Sequence, residues 1–113
     1  MMKSRDQFIY DRIGTSLVQF APKNAIKVIY KFTVEAEATT SEGAVYGWEY
    51  DYVDQLGIVG WFTVDSQHVR DSLIDDCREL RNFFVSQGQP AWKQCEFSVD
   101  VKTGKFSVDF KYD

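Results

Sequence analysis

The sequence predicts an α+β fold: one domain ordered α-β-β-β-α-β-β, with a five-stranded antiparallel sheet and two helices packed on one face. Three observations carry that expectation. Residues 92–113 form two alternating runs joined by a turn. Cys95, Phe97, Val99 and Val101 share one face of the first run, and Phe106, Val108, Phe110 and Tyr112 share one face of the second. Residues 25–38 alternate in the same way, and two other segments repeat apolar residues every three or four positions beside helix-capping chemistry. A lone hairpin is marginal in water, so the rest of the chain must complete the sheet and cover its apolar face.

In chain order, Ser4-Arg5-Asp6-Gln7 has capping-box form, and Phe8, Ile9, Ile13, Leu17 and Phe20 make the stripe of a first helix. Asp11, Arg12 and Gln19 stay outside, Gly14 weakens the helix by ~1 kcal/mol relative to alanine, and Pro22 ends it. The glycine also allows close approach of another element. The first strand follows, with Ile26, Val28, Tyr30, Phe32, Val34, Ala36 and Ala38 on one face. After a polar turn at residues 39–43, a second strand over 44–53 sets Tyr46, Trp48, Tyr50 and Tyr52 against Val45, Gly47, Glu49, Asp51 and Val53. A third strand over 58–64 sets Ile58, Phe62 and Val64 against Val59, Trp61 and Thr63, and the short connections predict a meander. Asp65-Ser66 offers the N-cap of a second helix, whose stripe is Val69, Leu73, Cys77, Leu80 and Phe84. Its opposite face, with Arg70, Asp71, Asp75, Arg78 and Asn82, is solvated, and Gly88 and Pro90 stop it. Lys102-Thr103-Gly104 then closes the final hairpin, with a possible G1-type bulge.

At 113 residues and 44% apolar content, the chain can bury roughly two-thirds of its unfolded surface without a disulfide staple. Cys77 and Cys95 belong to no Cys-x-x-Cys or Cys/His cluster and read as buried free thiols in a reducing cytosol. No apolar run reaches transmembrane length and the N-terminus has no signal-like apolar core, so the expectation is a soluble cytoplasmic protein with no membrane contact. Charge is unevenly spread. Residues 35–79 hold eleven acids and two bases, a formal −9, while the remainder is formally +5. An acidic middle argues against binding a phosphate backbone and for a cationic partner.

Chemistry is sparse. His68, the only histidine, falls in the first turn of the second helix, where the helix dipole disfavours its charged form, and no positioned nucleophile accompanies it. Asp75 and Asp76 point about 100° apart on a helix. Glu49 and Asp51 share a strand face, as a carboxylate pair in an enzyme would, but exposed strand acids are more often solvating. No phosphate loop, dinucleotide fingerprint or metal-ligand spacing occurs, so no catalytic residue, cofactor or metal is expected and the chain reads as a binder. Stacking platforms for nucleic acid sit in basic grooves, whereas here the aromatic strands carry the acids. Trp61 lies opposite Phe62, so one of the two should be accessible for a protein interface. The expected partner-binding residues are Glu49, Asp51, Asp54 and Trp61, with Asp71 and Asp75, and with Asp76 and Glu79 of the second helix in reserve.

The run Leu80-Arg81-x-x-Phe84-x-x-x-Gly88-Gln89-Pro90-Ala91-Trp92, then Phe97-x-Val99 and Gly104-Lys105-Phe106-x-Val108-Asp109-Phe110-x-Tyr112-Asp113, resembles the C-terminal half of the YezG-like immunity (antitoxin) family of bacterial polymorphic toxin systems. The resemblance implies a cytoplasmic protein that neutralises a cognate secreted toxin domain, often a nuclease, as in contact-dependent inhibition and LXG-type systems. It names no catalytic residue. An acidic inhibitor suits a basic nuclease surface, and a monomer is favoured. The alternative is a small adaptor or chaperone-like protein with an unrelated partner. Within the signature, Trp92 and Phe106 read as core anchors, Gly88 as the helix stop and Gly104 as the turn.

Overall fold

The computed structural model describes residues 5–39 and 43–112. Ser4 of the capping box, most of the first polar turn and Asp113 lie outside the described residues. The expected elements are present: α1 (Arg5–Gln19), β1 (Ala25–Ala36), β2 (Val45–Asp54), β3 (Val59–Trp61), α2 (Gln67–Ser86), β4 (Gln94–Asp100) and β5 (Phe106–Lys111). The sheet is antiparallel throughout, in the order β3-β2-β1-β4-β5. The meander and the C-terminal hairpin thus meet along β1, the longest alternating strand, which pairs with β2 on one side and β4 on the other.

Alternation decides what each face does. Val28, Tyr30, Phe32 and Val34 of β1 and Cys95, Phe97 and Val99 of β4 point to the helices and are buried. Ile9, Ile13 and Leu17 of α1 and Leu73, Cys77 and Leu80 of α2 close over them. Tyr10 of α1 packs on Phe97 and Phe106, and near Gly14 the helix lies so close to β4 that an added Cβ would sit 3.7 Å from the Phe97 ring. Trp92 is fully buried, edge-on to Phe32 and beside Phe110. Ser66 caps α2 by accepting from the Val69 N–H at 3.2 Å, and Gly88 follows its end with φ 78°.

Several details depart from expectation. β3 is a three-residue ladder, not seven, because the chain must leave β2 to reach the Ser66 cap; Phe62 and Val64 stay buried without being paired strand residues. The turn between β4 and β5 is wider than a tight hairpin. Gly104 N–H bonds the Asp100 carbonyl at 2.8 Å, while the Asp100 carboxylate accepts from the Lys102 and Thr103 N–H groups at 2.9 and 2.8 Å. Phe8, placed in the apolar stripe, is half exposed, and Tyr10 takes the buried position. Phe106, read as a core anchor, is 39% exposed, because β5 is an edge strand that only α1 partly covers. The reserve acids of α2 are divided: Asp76 is buried and accepts from Arg12 Nε and Nη2 at 3.1 and 2.9 Å, and Glu79 accepts from the same guanidinium at 2.9 Å and pairs with Arg5. They hold α1 to α2 and are not a free acidic face.

Arg81, a signature residue, is a clamp. Its Nε donates to the Trp92 carbonyl at 2.7 Å, its two Nη groups bond Glu37, and Lys93 Nζ reaches the same carboxylate at 2.9 Å. Three segments distant in sequence meet there. The Arg81 and Lys93 bonds pull the Glu37 carboxyl down from 4.5 to about 2. A carboxyl lowered in the folded state stabilises above its unfolded value and loses that contribution as pH falls through its folded value. The melting temperature of wild type should therefore exceed that of Glu37→Gln by a constant margin above pH 4.5, with the margin vanishing as pH approaches 2. A margin independent of pH would show that this carboxylate carries no linkage.

Candidate protein interface

Both helices lie on the same side of the sheet, so the odd-numbered side chains of β1 to β3 form a face without a helical cover. Register places them in rows: Lys31 stands between Glu49 of β2 and Glu96 of β4, and Ile29 lies beside Asp51, which is paired in turn with Trp61 of β3. The next row sets Val59 against Val53. Trp61 is 75% exposed whereas Phe62 is 8% exposed, which answers the choice left open by the sequence: Trp61 faces outward. Together with Val59, and with Leu56 and Ile58 of the β2–β3 connection, it forms an exposed apolar edge.

The charge on this face is shared unevenly. Lys31 Nζ lies 3.8 Å from Glu49, 3.9 Å from Asp51 and 3.8 Å from Glu96, outside direct hydrogen-bond range of each. One ammonium thus serves three carboxylates, and the surplus charge is negative. Such exposed pairs contribute little to stability, so their potential remains available to a ligand.

Of the six expected partner-binding residues, Glu49, Asp51 and Trp61 come together here. Asp54 lies at the rim, where its carboxylate accepts from the Leu56 and Ile58 N–H groups, both at 2.9 Å, and so shapes the connection that carries the apolar edge. Asp71 and Asp75 are exposed on α2, on the far side of the sheet, with Asp75 3.7 Å from Arg78. They cannot share a flat interface with Trp61. Sequence reasoning did not single out Lys31 and Glu96 because their grouping depends on strand register, which no local pattern displays.

Among the described residues, no group of three or more His, Cys, Asp or Glu could hold a metal ion, and no helix is long and apolar enough to cross a membrane. Cys77 and Cys95 are buried and unpaired, and burial pushes the Cys95 thiol up to about 12. In comparison with known proteins, residues 7–113 match the family model described as Immunity protein YezG-like. No curated protein matches the chain.

Proposed function

The chain belongs to the YezG-like immunity protein family, and from that premise we propose that it neutralises a basic toxin domain, a nuclease, by stoichiometric binding through the uncovered face of its sheet. The observation that supports this surface is Trp61, three-quarters exposed beside Asp51 and Glu49. A tryptophan in water leaves a large apolar area unburied, and Trp is the residue type most enriched at interface hot spots. Nucleases present cationic surface to phosphates, and a negative face gains both encounter rate and selectivity against such a surface. The inhibitor acts in the cytoplasm as a monomer, with no cofactor and no direct contact with nucleic acid.

The test is co-expression with the cognate toxin domain. A one-to-one complex should co-purify, and adding the chain should abolish cleavage of nucleic acid at equimolar ratio. A folded toxin that stays active and unbound would refute the proposal. Neither cysteine takes part: replacing Cys77 and Cys95 together by alanine should lower stability yet leave affinity within about twofold of wild type, measured where the variant is folded, because both thiols lie in the core. A large loss of affinity in folded protein would give a thiol a role.

A further inference from the structure

β3 covers only part of its neighbour. Asp51, Tyr52 and Val53 of β2 pair with Trp61, Gly60 and Val59, and beyond them Phe62 N–H bonds the Tyr50 carbonyl at 3.1 Å. There the chain turns away to the α2 cap, so among the described residues the part of β2 from Val45 to Glu49 has β1 on one side and no strand on the other. Backbone groups along a strand alternate sides. Tyr50 directs its carbonyl toward β3; Trp48 and Tyr46, in the same phase, therefore direct their N–H and C=O groups outward along the open edge. At the end of β3 that edge widens into a notch of about 360 Å³, lined by Trp48, Glu49, Tyr50, Asp51, Trp61 and Thr63.

The uncovered side of this edge carries a row of carboxylates. Glu49 and Asp51 are two of them. At Gly47, next in the alternation, there is no side chain, and the Glu35 carboxylate lies across the gap: a Cβ at Gly47 would come 2.6 Å from Glu35 Oε1. Positions 47, 49 and 51 thus each present a carboxylate, at a repeat of about 6.8 Å, which is the repeat of same-face side chains in any adjoining strand. The opposite edge of the sheet differs, since the uncovered side of β5 sets Asp109 between Lys105 and Lys111.

Resting on the immunity reading, we infer that the toxin contributes an extended segment that continues the line of β3 beside β2 as a sixth strand. Its backbone pairs with Tyr46 and Trp48. Its lysine or arginine side chains, at alternate positions, meet Glu35 and Glu49 on the uncovered side and reach toward Asp51 past the end of β3 with their stems against Trp61. The side chains between them lie on the other side of the sheet, against Trp48. Backbone pairing supplies affinity, and the acidic row selects the occupant by charge and spacing.

Amide hydrogen exchange tests this with two probes, the toxin domain and a capped seven-residue peptide of alternating valine and lysine. Saturating peptide should slow exchange at Tyr46 and Trp48 at least tenfold; a valine-glutamate peptide should not, and Glu49→Lys should abolish the effect. No slowing with millimolar lysine peptide, or slowing centred elsewhere, overturns the inference. A toxin complex that forms while both amides exchange freely also overturns it and leaves the immunity reading standing. Slowing by the peptide with no toxin complex keeps the edge site and removes the immunity reading. Slowing that grows with protein concentration alone assigns the edge to a second copy of the chain and overturns the inference.

Discussion

Trp92→Ala lowers the melting temperature by roughly 10–20 °C, the shift expected when ~3–5 kcal/mol is removed from a domain of this size. The indole is fully buried where the C-terminal hairpin joins the core, in contact with Phe32 and Phe110, and its carbonyl anchors Arg81 of α2. Truncation leaves a cavity that β1 and β4, locked by hydrogen bonds on both flanks, cannot collapse to fill. Total stability is only ~5–15 kcal/mol, so the loss is a large fraction of it. Trp92→Phe should cost less, because it keeps an aromatic ring and removes an indole N–H that has no partner among the described residues. Phe106→Ala, at a site 39% exposed, should cost about 1.5–2.5 kcal/mol. Thermal unfolding of the three variants checks the order; a Phe106→Ala loss equal to that of Trp92→Ala would mean that β5 is covered more fully than its exposure indicates.

The contrast between these two aromatics shows what the chain discloses locally. Alternation sorted side chains into two faces over most of the sheet, failing at Ile26, which was expected on the buried face but is exposed while Ala25 is buried because the register shifts between Ala25 and Lys27. Gly88, Gly104 and Ser66 placed the helix and turn boundaries through backbone chemistry that needs no tertiary information. Depth of burial was not available in the same way. Phe106 and Phe97 stand on the same face of the sheet, but Phe97 lies one strand inward, and strand order is a property of long-range pairing. The same reason hid the Arg12–Asp76 bond and the Glu37–Arg81 clamp, which join residues 64 and 44 positions apart. For the interface, shared phase made Glu49 and Asp51 neighbours and set Trp61 opposite Phe62, so half of the expected residues fall on one patch. The helix acids Asp71 and Asp75 were grouped with them by charge alone, and charge along the chain does not say which side of a sheet a helix will cover.

Reversing Glu49 and Asp51 to lysine should weaken toxin binding by several kcal/mol, at least a hundredfold in affinity, with much of the loss appearing as slower association. The double variant turns three carboxylates around Lys31 into one, and a cationic partner then meets repulsion where it met attraction. Because two new lysines would also crowd Lys31, Glu49→Gln with Asp51→Asn is the necessary companion. It removes attraction without adding repulsion, should leave the melting temperature nearly unchanged, and should fall between wild type and the reversed variant in affinity. Trp61→Ala should cost a further 2 kcal/mol or more, ~30-fold, chiefly through faster dissociation, as burial of an anchor acts after the encounter. Wild-type association should slow steeply as salt shortens the screening length from ~10 Å to ~3 Å, and the neutral variant should respond less. Asp71→Lys with Asp75→Lys, on the far side of the sheet, supplies the control and should bind as wild type does. If that helix variant lost protection against the toxin while the strand variants kept it, with all of them folded, the toxin would dock on α2 and the uncovered face would be vacant in the complex.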